Sequence, residues 1–365
     1  MEVKSIRLQN FRNYEELELS FDSSRNIIIG ENAQGKTNLI EAIYLCAFAR
    51  SFRTQNTQDM IMIGKNSGRV IVNAVSEEIE KEISITLERS GRKMIRKDQK
   101  LIRRTADLLN TLVVVVFSPE DLRMIKDSPD RRRSFINKEI SQLRPKYFEC
   151  LRNYNEALRQ KNALLKDRLG RGQETEEMLD IYDLQLAQYG AEIIRFRKEF
   201  ITMLSRRACV IQERITGGKE QLEIRYQCSA GEEEAETICG KLRDHREKDF
   251  YAGFSTIGPH RDDIDFYVNG KDAKKYGSQG QQRTVALALK LAEIQIARDI
   301  LGENPILLLD DVLSELDLER QKFLFSEIEN VQIFITTTEV NESIIAKMPE
   351  GSVFKVSSGF VTKTR

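Results

Sequence analysis

The sequence predicts an α/β fold that starts, is interrupted by a helical insertion, and resumes. Three observations predict it. An apolar β-branched run at residues 26–29 stops at Gly30, and helical spacing follows through Leu39, Ile40, Ile43, Tyr44 and Ala47. From about 120 to 215 the pattern is helical, charged and almost free of Gly and Pro. Apolar strand patterns then return: 306–309 ends in Asp310-Asp311, and 331–335 ends in Thr336-Thr337-Thr338.

The other elements follow in chain order. Val3, Ile6 and Leu8 begin one strand, and Leu17, Leu19 and Phe21 alternate as a second, with a turn expected over residues 13–16. Residues 69–97 read as an antiparallel meander, with strands at 70–72 and 83–87 and a turn at Ser90-Gly91. Residues 113–117 form another strand, stopped by Ser118-Pro119. Phe148, Leu151, Tyr154, Leu158 and Leu165 recur at helical spacing, as do Tyr182, Leu186, Tyr189, Ile193, Phe196 and Phe200. Gly170-Arg171-Gly172 separates the two runs, so two long antiparallel helices are the simplest solution. The polar stretch 216–250, with Glu232-Glu233-Glu234, reads as a strand at 222–226 plus a connector helix. Residues 264–268 with Asn269-Gly270 suit a tight hairpin, and a helix runs from about 279 to 298. The expected division is one α/β domain from 1–118 plus 250–365, with 119–249 as a mainly helical insertion.

The chain has 365 residues, 40% of them apolar and 31% charged, which suits about two well-packed domains rather than a disordered chain. Lys+Arg and Asp+Glu both total 57, so bulk charge offers no argument for a nucleic-acid partner. Local basic clusters do occur: Arg92, Lys93, Arg96, Lys97, Lys100, Arg103 and Arg104; Arg131-Arg132-Arg133; and Arg50 with Arg53. Such clusters gain affinity for phosphates through counterion release, but each is equally a solvated face paired with nearby acids. The five cysteines are scattered with no CxxC pair, which suggests reduced thiols at packing positions. His245 and His260 alone cannot build a histidine metal cage. His260 is either a polar contact near the surface or a satisfied structural histidine. The N-terminus has no run of signal-peptide length, and the most apolar stretch, 112–117, is too short to span a bilayer. The expectation is a soluble cytoplasmic protein with no membrane partner.

Gly30-Glu31-Asn32-Ala33-Gln34-Gly35-Lys36-Thr37 matches GxxxxGK[ST] in full, between a strand and a helix. Glycines let the loop turn its N–H groups toward phosphate oxygens, and the helix N-terminus adds positive potential. Lys36 would reach the β- and γ-phosphates of ATP, and Thr37 would face Mg²⁺. The strand ending in Asp310-Asp311 is the natural second half: Asp310 as the Mg²⁺ ligand, Asp311 polarising the attacking water. Gly277-Ser278-Gln279-Gly280-Gln281-Gln282-Arg283 opens the preceding helix, with Ser278 as N-cap.

This order of motifs resembles the ABC-type ATPase heads of the SMC-like DNA-repair family. The strings that carry the resemblance are 8–14 (LQNFRNY), 30–39 (GENAQGKTNL), 117–122 (FSPEDL), 258–263 (GPHRDD), 278–283 (SQGQQR) and 309–317 (LDDVLSELD), spread over nearly the whole chain. The resemblance implies an ABC-type head with mixed sheets, and the helices from 120 to 215 as a short equivalent of the SMC coiled coil. It implies that Ser278, Gln279, Gly280 and Gln281 act in trans on ATP held by a second copy, and that 314–317 crosses that dimer interface. Asn38 and Arg12 would lie near the nucleotide, and 336–338 would take the switch-loop position. It also implies a weak, DNA-stimulated ATPase whose dimer clamps single- or double-stranded DNA without sequence preference, at gaps and junctions. RecO- and RecR-type partners and the loading of RecA come with it. Three positions depart from the family pattern: Asp311 replaces the usual Glu, threonines replace the switch His, and Ser118-Pro119-Glu120 stands where a Q-loop glutamine is expected. All three suit a slow nucleotide-gated clamp. Two other functions fit a P-loop: a transporter-type nucleotide-binding subunit and a small-molecule kinase. The Asn32-Ala33 loop and the charged insertion argue against the first, and the Ser278 helix start against the second.

Overall fold

The computed structural model describes residues 1–167, 172–231, 233–338 and 351–365. The chain divides into two compact units, 1–122 with 289–365, and 123–288.

The first unit holds two six-stranded sheets. One is antiparallel and includes Glu2–Phe11, Tyr14–Ser20, Ser67–Ser76, Ile79–Glu88, Lys93–Lys97 and Lys100–Ile102. The other has a parallel core in the order Ser352–Ser357, Arg25–Ile29, Ile333–Thr337, Ile306–Asp310, Val114–Phe117, with Phe360–Lys363 antiparallel at one edge. The helix Lys36–Phe48 is buried at every position except Thr37 and Asn38. A helix apolar on all sides needs cover on all sides, and its side chains share one core with Ile6, Leu8, Val72 and Ile85 of one sheet and Ile28, Leu308, Phe334 and Phe354 of the other. The helix is therefore the filling between the two sheets.

The register of the parallel strands matters for function. Asp310 pairs with Thr336, Thr336 with Ile28, and Leu309 with Phe117. Four strand ends thus line up, and each hands its next residue to the same rim. Ligands of open parallel sheets bind at that carboxyl edge.

The second unit contains the helices Pro129–Leu143, Pro145–Lys166 and Gln173–Thr216 and a small sheet in which Asp263–Val268 lies between Leu222–Gln227 and Lys271–Asp272. Shorter helices, Ala235–Asp244 and Arg246–Ala252, follow the first of these strands. The chain leaves this unit within the helix Gln279–Leu301.

Several expectations are met. The meander, the strand at 222–226 and the Asn269-Gly270 hairpin all form, the hairpin turn having φ of 50° and 73°. Others are corrected. Glu15 and Glu16 belong to the second strand, because the reversal is made by Arg12 at φ 54° with Asn13. The run from Phe148 to Leu165 lies in one helix, Pro145–Lys166, but a further helix, Pro129–Leu143, precedes it, with Pro145 supplying the first turn of the second. The predicted break is met by Gly172 as the N-cap of the 44-residue helix, while Gly170 and Arg171, like Glu232, lie outside the described residues. The last parallel strand runs to Thr337, so two of the three threonines end the strand rather than follow it. The boundary between units falls after 288 and not at 250, because Ile264 pairs with Tyr226 and Val268 with Leu222, which keeps 263–268 with the helical unit.

Candidate nucleotide site

Two glycines of the 30–37 loop are dictated by geometry. A Cβ on Gly30 would stand 2.4 Å from the Val356 carbonyl oxygen, so only hydrogen fits against the neighbouring strand. Gly35 sits at φ 119°, a conformation open to glycine, and a Cβ there would meet the Asn13 amide at 2.6 Å. The loop is then clasped from outside. Asn13 Nδ2 donates to the Gln34 carbonyl at 2.8 Å, Tyr14 Oη to the Gly35 carbonyl at 3.0 Å, and Ser358 N–H to Gln34 Oε1. Glu31, Asn32 and Ala33 are exposed at its tip.

Lys36 is buried, and its Nζ donates to the carbonyls of Gly30 at 2.6 Å and Glu31 at 3.0 Å, closing the loop on itself. Burial holds its pKa below the ordinary lysine value, while the Asp311 and Asp310 carboxylates pull it back up. Thr37 Oγ1 donates to Asp310 Oδ1 at 2.9 Å, joining residues 273 positions apart. Thr336 Oγ1 donates to the same Asp310 oxygen at 2.8 Å and accepts the Asp311 N–H at 2.9 Å. Burial pushes the Asp310 carboxyl above its usual range, and the two hydroxyls oppose that shift. Asp311 takes the left-handed backbone at φ 53°, which turns the chain off the strand end and lets its amide reach Thr336. The donor set of Thr37 hydroxyl and Asp310 carboxylate is hard oxygen, which fits Mg²⁺.

Lys36, Thr37, Asp310 and Asp311 are thus brought together within the first unit. Asn38 lies beside them, its Nδ2 donating to Asn13 Oδ1 and its Oδ1 accepting from Arg53, each at 2.8 Å. Arg12 is held by a carboxylate: its guanidinium forms a bidentate pair with Glu41 at 2.8 and 2.6 Å, and Nη1 donates to the Asp59 carbonyl at 2.6 Å. Glu41 is fully buried on the loop's own helix. A carboxylate there is costly without partners, and Arg12, Ser51 and Arg53 supply them. Nothing in the apolar periodicity of that helix exposed this residue. A lone Glu among Leu39, Ile40, Ala42 and Ile43 was the available signal.

Where a Q-loop glutamine is expected, Asp121 organises the turn. Its Oδ2 accepts the Ser118 N–H at 2.8 Å and hydroxyl at 2.9 Å, and Oδ1 pairs with the buried Lys290 at 3.1 Å. Lys290 pairs in turn with Glu293 one helical turn on.

Ser278, Gln279, Gly280 and Gln281 lie in the second unit. Ser278 Oγ accepts the Gln281 N–H at 3.2 Å while Gln281 Oε1 accepts the Ser278 N–H at 2.9 Å, a reciprocal capping box that presents the helix start to solvent. Asp317 caps the helix Leu318–Glu327 through the Arg320 N–H, and Ser314 Oγ donates to the Asp311 carbonyl. His260 is structural: Nδ1 faces Tyr154 Oη at 2.7 Å and Nε2 faces the Ser255 carbonyl at 2.9 Å, so neither nitrogen is left for a partner.

A parallel sheet with a phosphate loop, an aligned acidic strand end and a separately capped helix defines an ABC-type ATPase head of the SMC-like class. The family described as the RecF/RecN/SMC N terminal domain matches residues 2–359. The SMC head domain of Pyrococcus furiosus has the same fold, at a TM-score of 0.58 and 15% identity over all of this chain and 96% of that one. The DNA replication and repair protein RecF of Clostridium perfringens (strain SM101) is 42% identical over 362 residues, 98% of this chain and 99% of its own length. That of Lachnoclostridium phytofermentans is 40% identical over the full length of both. A solved structure of the recombination mediator protein RecF-ATP in the RecFOR pathway matches with a TM-score of 0.92 and 37% identity, covering 100% of this chain and 98% of that one. The chain belongs to the RecF family. Among the described residues, no helix is long and apolar enough to cross a membrane.

Proposed function

We propose that this chain is an ATP-dependent DNA-binding protein of recombinational repair, in which bound nucleotide joins two copies and slow hydrolysis parts them. The observation that carries the reading is the Thr37–Asp310 contact at 2.9 Å, which joins the start of the loop's helix to the acidic strand end. The relatives named above bear DNA replication and repair names, which favours this reading over a transporter subunit.

In this reading the N–H groups of residues 31–36 and the start of the following helix take the phosphates, and Lys36 exchanges its loop carbonyls for β- and γ-phosphate oxygens. Thr37 and Asp310 would hold Mg²⁺, which would neutralise charge on the phosphates. Asp311 orients the attacking water and accepts its proton. Its side chain is one methylene shorter than Glu, so the water is held less closely and turnover is slow. Ser278, Gln279, Gly280 and Gln281 of a second copy complete the site, the positive N-terminal end of that helix facing the γ-phosphate. RecO- and RecR-type proteins and RecA are the partners of this cycle.

The decisive experiment measures duplex DNA affinity with and without Mg²⁺–ATP for wild type and Lys36→Arg. ATP should tighten wild-type binding at least about 10-fold and leave the variant unchanged; an ATP-independent wild type sinks nucleotide gating. Solution mass separates the trans role. Wild type should double its mass with ATP, and Ser278→Arg should bind ATP yet stay monomeric.

A further inference from the structure

The reading above leaves open which basic surface meets DNA, and the three basic clusters differ in what their charges already do. In the run 131–133, Arg132 is buried in a bidentate pair with Asp263 at 2.7 and 2.8 Å. Arg133 donates to the Asp262 carbonyl and pairs with Asp130, and Arg131 is also engaged. Arg53 is committed to Asn38 and Glu41. Arg132, Arg133 and Arg53 are thus partnered within the fold, and the Arg50 guanidinium lies over the Phe48 ring at 5.8 Å.

The edge of the antiparallel sheet is different. Residues 92–103 contain Arg92, Lys93, Arg96, Lys97, Lys100 and Arg103 against a single acid, Asp98, in a chain whose net charge is zero. Asp98 is occupied, its Oδ1 accepting the Glu82 N–H at 2.9 Å. Arg92, Arg96, Lys97, Lys100 and Arg103 have no ion-pair or side-chain hydrogen-bond partner among the described residues. Four of the five are exposed and Lys97 is half-buried. On the adjoining strand Glu82 lies opposite Asp98, and Glu88 lies opposite Arg92, its N–H donating to the Arg92 carbonyl at 2.9 Å while its carboxylate accepts the Ser90 hydroxyl at 3.1 Å.

The hairpin geometry makes the charge denser. Asp98 and Gln99 both take left-handed backbone, φ 49° and 64°, and the tight turn sets Lys97 directly across from Lys100. Like charges opposed on neighbouring strands cost stability, so the chain bears an unfavourable pairing that a polyanion would relieve. Lys93, at the other end of the same strand, is spent differently: its Nζ donates to the Ala49 carbonyl, at the end of the helix that begins in the phosphate loop. The basic edge is therefore fastened to the far end of the nucleotide-binding helix.

We propose that this edge, Arg92, Arg96, Lys97, Lys100 and Arg103, is where the chain holds the phosphate backbone of duplex DNA; the proposal rests on the DNA-binding reading above. Duplex is favoured over single strand because no aromatic residue lies between 92 and 104 for bases to stack on. Contacts of this kind place the backbone without reading sequence.

The test compares wild type with the combined variant Arg96→Gln, Lys97→Gln, Lys100→Gln, Arg103→Gln, titrated into a labelled mixed-sequence 30-base-pair duplex with Mg²⁺–ATP over a salt series. Four lost phosphate contacts should weaken binding at least about 10-fold and reduce the slope of log affinity against log salt by about 3 to 4. Melting temperature should hold or rise, since the Lys97–Lys100 repulsion is removed; ATP affinity should stay at the wild-type value, and Arg96→Lys with Arg103→Lys should retain binding. A combined variant with the wild-type slope overturns the proposal while leaving DNA binding intact. So does a variant that loses only a single-stranded 30-mer. A wild type that binds no duplex sinks the DNA-binding reading itself, and this proposal with it.

Discussion

Both units bury charge, and they use it in opposite ways. In the second unit Arg197 is almost fully buried and saturated: it donates to Tyr147 Oη, the Pro259 carbonyl, Asn137 Oδ1 and Asp262 Oδ2. Asp262 also accepts from Tyr226 and the Ser229 N–H. Lys161, fully buried, lies between Asp183 at 2.8 Å and Asp249 at 3.1 Å. Such closed networks fix one packing arrangement and have nothing left to offer a ligand. In the first unit the polar groups at the strand edge hold each other in exchangeable ways. Lys36 rests on two carbonyls and Asp310 on two hydroxyls, contacts that a phosphate and a cation would replace in the function proposed above. Buried charge alone therefore does not mark a site; what marks it is the strength of the groups that currently satisfy the charge.

The contrast can be broken from either side. Arg197→Met leaves Asp262 buried without its cation and should destabilise the second unit by about 3–5 kcal/mol. Thermal or denaturant unfolding would register the loss, with ATP affinity of the folded fraction unchanged; a drop below about 1 kcal/mol would show the network to be dispensable. Asp310→Asn should do the reverse. Hydrolysis should fall at least about 100-fold, while the melting temperature holds or rises, since a desolvated carboxyl has been neutralised.

His260 sharpens the comparison through pH. Burial pushes its pKa down to about 4, against 6.5 in the unfolded chain. Between those values the unfolded state binds the extra proton, so this group's stabilisation is complete above pH 6.5 and is lost as pH falls toward 4. The difference between wild type and His260→Gln should shrink by roughly 1–3 kcal/mol over that window. A pH-independent difference would mean that the ring is not held neutral. The smallest effect is expected at Thr336. Thr336→Val removes one hydroxyl from between Asp310 and Asp311 and should slow hydrolysis about 10-fold, with Thr336→Ser restoring it. Equal rates for the two variants would show that the hydroxyl does not position the acid pair.

Much of the site was legible because its signals are local. A strand, a Gly-rich loop and a helix sit within twenty-odd residues, and an apolar run ending in two aspartates needs no tertiary knowledge to be noticed. The Ser278 cap was legible for the same reason. Less was visible where partners are remote in sequence. Glu41 makes sense only once Arg12 and Arg53 arrive from other segments. The role of Asp121 depends on Lys290, and the bridging of Thr336 depends on the register that sets it beside Asp310. The late unit boundary escaped notice because strands 222–227 and 263–268 pair across two intervening helices. Pro145 was available to be read, but helical periodicity on both sides masked a chain that stops and restarts.

The clasp on Gln34 has a temporal meaning. Its Oε1 is held by Ser358, 324 positions further along the chain. At synthesis rates of about 5–20 residues per second, the loop's residues emerge on the order of 15–65 s before the segment that closes over them. Asn13 and Tyr14 are made before the loop and can hold its Gln34 and Gly35 carbonyls at once, whereas the Gln34 side chain waits for the end of the chain.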